Sequence, residues 1–154
     1  MPKRLSVPFY RQNKPGYHLA ACAQMALAYW ESIHDQEELA RRLGVQPHLG
    51  APIRNIHRLA SSALHITVES GDLNKLQQWL SDDVPVIAFI QAGELLHWQG
   101  EFFQHAVVIV EISQDSVWML DPDAGGEPLA SPIGDFMLAW SELDYLYAVI
   151  IAVS

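Results

Sequence analysis

A lone thiol, a histidine opening one apolar strand and an aspartate closing another are the residues here whose types suit covalent chemistry. Cys22 is the single cysteine and lies in "HLAACAQMALAYW", 18–30, at the front of an Ala-rich helical run. Near a helix N-terminus, free backbone N–H groups and the dipole stabilise a thiolate, and the thiolate rather than the thiol attacks. A buried cysteine serves equally well as a small apolar filler. A thiol nucleophile also needs a base, and something to orient that base. Among His18, His34, His48, His57, His65, His97 and His105, only the last begins a strand that is otherwise almost wholly apolar, "HAVVIVEI". A polar ring there needs a partner. The short polar "SQDS" leads into "SVWMLD", so the two strands form an antiparallel hairpin. That hairpin returns Asp121 close to the position opposite His105. A carboxylate there holds an imidazole in one tautomer; with Pro122 behind it, it serves equally well to open a turn. Gln12, in the loop before the helix, offers a side-chain N–H to an oxyanion beside the Cys22 amide, or stays solvated.

Other chemistries find little support. A cysteine pair and a His-x-x-x-His spacing are both absent, so no metal is expected. Gly125-Gly126 precedes no clear helix start and reads as a turn rather than a phosphate loop. No cofactor is expected either.

The elements that must position these residues change character along the chain. An extended "SVPFY" and a loop, "RQNKPGYH", lead into a buried helix from Leu19 to about Ser32. "DQEELARRLG" reads as a second helix, with Asp35 as cap and Gly44 as stop. "APIRNIHRLASSAL" reads as a third, with Ile53, Ile56, Leu59, Ala60 and Ala63 on one stripe. "ITVES" is a short strand and "DLNKLQQWLSD" a fourth helix capped by Asp72. Beyond it come strand "VPVIAFI", a loop rich in aromatic residues at 91–104 (Trp98, Phe102, Phe103), the hairpin, a tight loop at "PDAGGEP", a short helix "PIGDFMLAW" and a closing strand "YLYAVIIAV". The 91–104 loop either covers the core or forms a lid. A mainly helical 1–80 and a mainly antiparallel 81–154 make an α+β domain spanning 1–154.

Charge divides at nearly the same place. Residues 1–75 hold all nine Lys and Arg against six acids; residues 76–154 hold twelve acids and no Lys or Arg. The acidic half is either a solvated surface or a lure for a cationic peptide. An acidic chain without a basic cluster is a poor nucleic-acid binder. No apolar run approaches the ~20 residues of a membrane-spanning helix, and no signal peptide is evident, so a cytoplasmic protein is expected.

Taken in order, "VPFYRQ", "CAQMALAYW", "PVIAFI", "HAVVIVEI…VWMLDPDAGGEPL", "FMLAW" and the last apolar strand resemble papain-like cysteine peptidases of the bacteriocin-leader-processing type. These are the double-glycine leader peptidases and their stand-alone bacterial relatives. The resemblance covers nearly the whole chain and is most specific around the His strand, the Asp-Pro and the Gly-Gly. It implies a papain-like fold, with a cysteine at the head of a central helix, a histidine on an antiparallel sheet and an active site in the cleft between. By position it implies Cys22 as nucleophile, His105 as base and then acid, Asp121 as orienting residue and Gln12 as oxyanion donor. The family usually has Gly after the cysteine; here Ala23-Gln24 follows, a change expected to narrow the cleft or alter the oxyanion hole.

Two functions follow as expectations. One is a thiol hydrolase that cleaves a peptide or isopeptide bond through an acyl-enzyme, on a substrate carrying basic residues. An acyl transferase would use the same residues. The other is a non-catalytic module that holds a peptide or protein partner in the same cleft.

Overall fold

The computed structural model describes residues 3–98 and 103–153. Its framework is a six-stranded sheet in the order β1-β6-β2-β3-β4-β5, with every neighbouring pair antiparallel. The strands are β1 (Leu64–Ser70), β2 (Val86–Gln91), β3 (Gln104–Ile112), β4 (Ser116–Asp121), β5 (Ala124–Pro132) and β6 (Leu146–Ala152). Helices α1 (His18–Tyr29), α2 (Gln36–Leu43), α3 (Leu73–Ser81) and α4 (Ile133–Ser141) complete the α+β architecture.

Both sheet faces are covered, which explains the nearly unbroken apolar strands. In β3, Ala106, Val108 and Val110 pack with α1 and α2, whereas Val107 and Ile109 pack with Leu76 and Leu80 of α3 and Phe136 and Trp140 of α4. Successive residues point to opposite faces, so a doubly covered strand has no polar side to show. α1 runs through the first of these layers, with every residue from Leu19 to Ala28 buried.

Local signals explain the shorter helices. The Asp35 side chain accepts from the Glu38 N–H and Gly44 ends α2 at φ 70°. Asp72 accepts from the Lys75 N–H at the start of α3.

Two expectations need correction. The third helix is a shorter 3-10 segment, Ile53–Leu59. It stops because Ser61 turns the chain, its Oγ accepting from the Ala63 N–H, which leads into β1. "PDAGGEP" is not a loop throughout: the turn is confined to Pro122-Asp123, and β5 begins at Ala124. Gly125 at φ 64° and a register shift between Met119 and Asp121 bend this strand, and its Gly and Pro content hides it from a reading by β propensity. The short strand expected at "ITVES" is present as β1, which begins two residues earlier at Leu64 and pairs along its length with β6.

Candidate functional site

The hairpin puts His105 and Asp121 together. β3 and β4 pair Val108 with Leu120. Continued by one residue, this register sets Asp121 opposite Val107, two positions from His105 and on the same sheet face. His105 Nε2 bonds Asp121 Oδ1 at 2.7 Å, with both side chains almost fully buried. The carboxylate is held from three further directions. Its Oδ1 accepts from the Asp123 N–H at 2.9 Å, and its Oδ2 accepts from Trp98 Nε1 at 2.6 Å and meets His97 Nε2 at 2.8 Å. Burial alone would raise the Asp121 pKa. The hydrogen bonds from His105, His97 and Trp98 outweigh it and hold the carboxyl well below the usual range. The ionised carboxylate accepts from the Nε2–H of the His105 ring, and Nδ1 has no hydrogen-bond partner. The aromatic segment therefore covers and fixes this pair: Trp98 and Phe103 both pack edge-on against the His105 ring. Phe102 lies outside the described residues.

Facing His105 is His18, not a thiol. His18 is the first residue of α1, and its ring centre lies 5.3 Å from that of His105 at an interplanar angle of 63°. Burial, then the neighbouring His105, lowers its pKa to about 4. Both histidines line a cleft of about 530 Å3, with Gln12, Lys14, Phe89 and Asp123 among the other lining residues.

Cys22 does not reach this cleft. It is 0% exposed and belongs to the apolar cluster between α1 and the sheet. Four residues after His18, it lies on the same side of α1 one turn deeper, about 6 Å along the axis. Burial, and secondarily the Asp121 charge, push its thiol well above its ordinary pKa. The expected thiolate in the first helical turn is thus replaced by a neutral thiol in the core. Ala23 and Gln24 are buried as well, so neither narrows the cleft.

Gln12 lies at the cleft, and its backbone N–H donates to Pro122 O at 2.8 Å, which ties its loop to the turn after β4. Its Oε1 is buried without a hydrogen-bond partner. The loop is held from below by Gln36, 2% exposed, which accepts from the Asn13 N–H and donates to Arg11 O and Gln24 Oε1. Gln36, His97, Trp98 and above all His18 escape a reading by residue type. The usable signal for His18 was positional. A helix begun at His18, directly after the Pro15-Gly16 turn, puts the histidine at its head and the cysteine a turn inside.

The charge division does not concentrate at the cleft. Asp123 is its acidic lining residue among those described, and Lys14 lines it too. No helix among the described residues is long and apolar enough to cross a membrane.

Solved structures share the whole architecture. A protein described as a C39-like peptidase from Bacillus anthracis superposes with a TM-score of 0.80 at 17% identity, over 99% of this chain and 98% of that one. A double-glycine motif protease from an AMS/PCAT transporter, solved in complex with its leader peptide, gives 0.75 at 17% identity over 98% and 95%. The peptidase domain of Streptococcus ComA, a bifunctional ABC transporter of a quorum-sensing pathway, gives 0.75 at 14% identity over 96% and 100%. No curated protein matches by sequence. The model of the Peptidase_C39-like family matches residues 4–147, and the chain belongs to that family.

Proposed function

We propose that this protein holds a peptide segment in its cleft without cleaving it. The observation that carries this reading is the placement of the one thiol: Cys22 is 0% exposed in the core while His18 occupies the head of α1. A thiol hydrolase must bring sulfur to a carbonyl carbon beside its base. Cys22 reaches the cleft only if α1 shifts by a turn, which would drag its buried side chains out of register. The cleft keeps what non-covalent binding needs: apolar walls from Phe89, Ile53 and Leu143 beside polar groups that include Gln12, His18 and His105. The relative solved with a leader peptide supports a peptide as the occupant.

The thiol-hydrolase reading, with Cys22, His105, Asp121 and Gln12 in the roles that the resemblance implies, makes the opposite prediction. Iodoacetamide is added to the native protein between pH 5 and 9, and peptides containing Gly-Gly are tested by calorimetry and by mass spectrometry. Peptide binding without cleavage, with Cys22 unmodified until the protein is unfolded, is the expected result. Cleavage that disappears in Cys22→Ala would overturn the binding reading in favour of the hydrolase.

A further inference from the structure

We propose that His18 and His105 form a binding site for a divalent transition-metal ion, of which Zn2+ is the natural probe. The inference is independent of whether a peptide binds. It begins from three of the four buried side-chain polar atoms that lack a hydrogen-bond partner among the described residues: His18 Nδ1, His105 Nδ1 and Gln12 Oε1, the fourth being Gln91 Oε1. Buried acceptors are seldom left empty-handed, and all three residues line the same cleft.

The chemistry of the three atoms is uniform. His105 Nδ1 is left without a hydrogen-bond partner while its Nε2 is engaged with Asp121 at 2.7 Å. An imidazole held by a carboxylate through one nitrogen and free at the other is the arrangement that orients a metal-binding histidine and raises its basicity. His18 Nδ1 is likewise buried without a partner, and its ring lies against that of His105. Gln12 adds a carbonyl oxygen. Two imidazoles and an amide oxygen suit zinc, nickel or copper better than magnesium or calcium, which favour all-oxygen sets.

The spacing also fits. Zinc–nitrogen bonds of about 2.0–2.1 Å at a tetrahedral angle place two imidazole centres about 5 Å apart. The observed separation is 5.3 Å. Among the described residues no group of three or more His, Cys, Asp or Glu gathers around a metal position. The site therefore rests on the two unpartnered histidine nitrogens, with Gln12 lining the same cleft. Such a set binds reversibly rather than as a permanent structural ion.

The test needs no substitution. Tag-free, 15N-labelled protein at pH 7.5 is titrated with ZnCl2 while long-range correlations of all seven histidine rings are recorded. The Nδ1 resonances of His18 and His105 should move together and saturate at one equivalent, ahead of the other five. If neither moves, or if His34, His48, His57, His65 or His97 responds first, the proposal fails. Calorimetry adds a second readout. His18→Ala should abolish the one-equivalent event and Asp121→Asn should weaken it about 10–100-fold, while His57→Ala leaves it unchanged. Undiminished binding in a folded His18→Ala overturns the assignment.

Discussion

At the scale of single residues, an imidazole rather than a thiol stands at the head of α1 and lines the cleft. The neighbourhood remains suited to a nucleophile. The His105 ring packs against the position with its Nδ1 unpartnered, Asp121 fixes the ring, and no side chain caps the helix. His18→Cys in a Cys22→Ala background should therefore create a thiol that iodoacetamide modifies readily near pH 6–7, against a free-thiol pKa of about 8.5. Alkylation rates measured against pH check this; a rate that climbs only above pH 8 would mean that His105 does not activate that position. Cys22→Ala alone should act only as a small core truncation. A loss of about 1 kcal/mol in urea unfolding, with unchanged peptide affinity, is expected. The His105–Asp121 pair was legible in the sequence because both residues terminate strands of one short hairpin. The clamp of His97 and Trp98 on the same carboxylate was not, since it depends on how an irregular segment folds back.

At the scale of elements, helix ends and turns were the most readable features, because their chemistry is local. Asp35, Gly44 and Asp72 do what their types suggest. The start of α1 was the costly miss: a boundary one residue later than the observed one made Cys22 look like a first-turn residue. β5 was obscured by glycines and prolines that its bent geometry requires. The loop that carries Gln12 depends on an element far from it in sequence. Gln36, from the first turn of α2, satisfies the Asn13 N–H and the Arg11 carbonyl. Gln36→Ala should leave these groups unpaired, at a stability cost of about 1–3 kcal/mol. Peptide affinity should fall with it, as residues 11–13 loosen at the cleft edge. Comparing melting and binding in this variant with those in Asp35→Ala, which removes only a cap worth about 1 kcal/mol, separates loss of loop order from loss of stability. Across the sheet, Tyr147 joins β6, β1 and α3: its hydroxyl donates to Glu69 and accepts from Trp79 Nε1 at 3.0 Å. Burial, and then Glu69, raise this phenol to about 12 from an ordinary value of 10.0. A phenol that ionises more readily unfolded than folded stabilises the fold fully below pH 10, and that contribution is lost as pH rises toward 12. Tyr147→Phe should flatten the alkaline limb of the stability curve; an unchanged limb would mean that Tyr147 titrates alike in both states.

At the scale of the whole molecule, the uneven charge is answered partly within the chain. The basic N-terminal segment lies against the acidic half, where Leu5 N–H donates to Val110 O, Arg4 Nε bonds Glu111 at 2.7 Å, and Lys3 meets Asp83. Arg4 also sits 4.3 Å above the Trp118 ring. Exposed pairs of this kind are screened by solvent, so they guide the segment into place more than they hold the fold. The fold is held mainly by the two apolar layers, and these share their strands. β3 sends Ala106 and Val108 into one and Val107 and Ile109 into the other, so neither layer can melt while the other keeps its sheet. Phe136→Ala, in the layer away from the cleft, and Leu39→Ala, in the layer beside it, should each cost several kcal/mol, about 3–5 for the first and 2–5 for the second. Both residues are 0% exposed. In each variant, tryptophan fluorescence and far-ultraviolet dichroism should report one coincident transition at a lower urea midpoint. Separation of the two probes in Phe136→Ala would mean that α3 and α4 can leave while the cleft layer persists. The His18–His105 cleft would then survive on a partial fold, so its peptide and Zn2+ affinities, measured at the urea concentration between the two midpoints, would remain. Under the shared-strand arrangement both affinities disappear with the single transition.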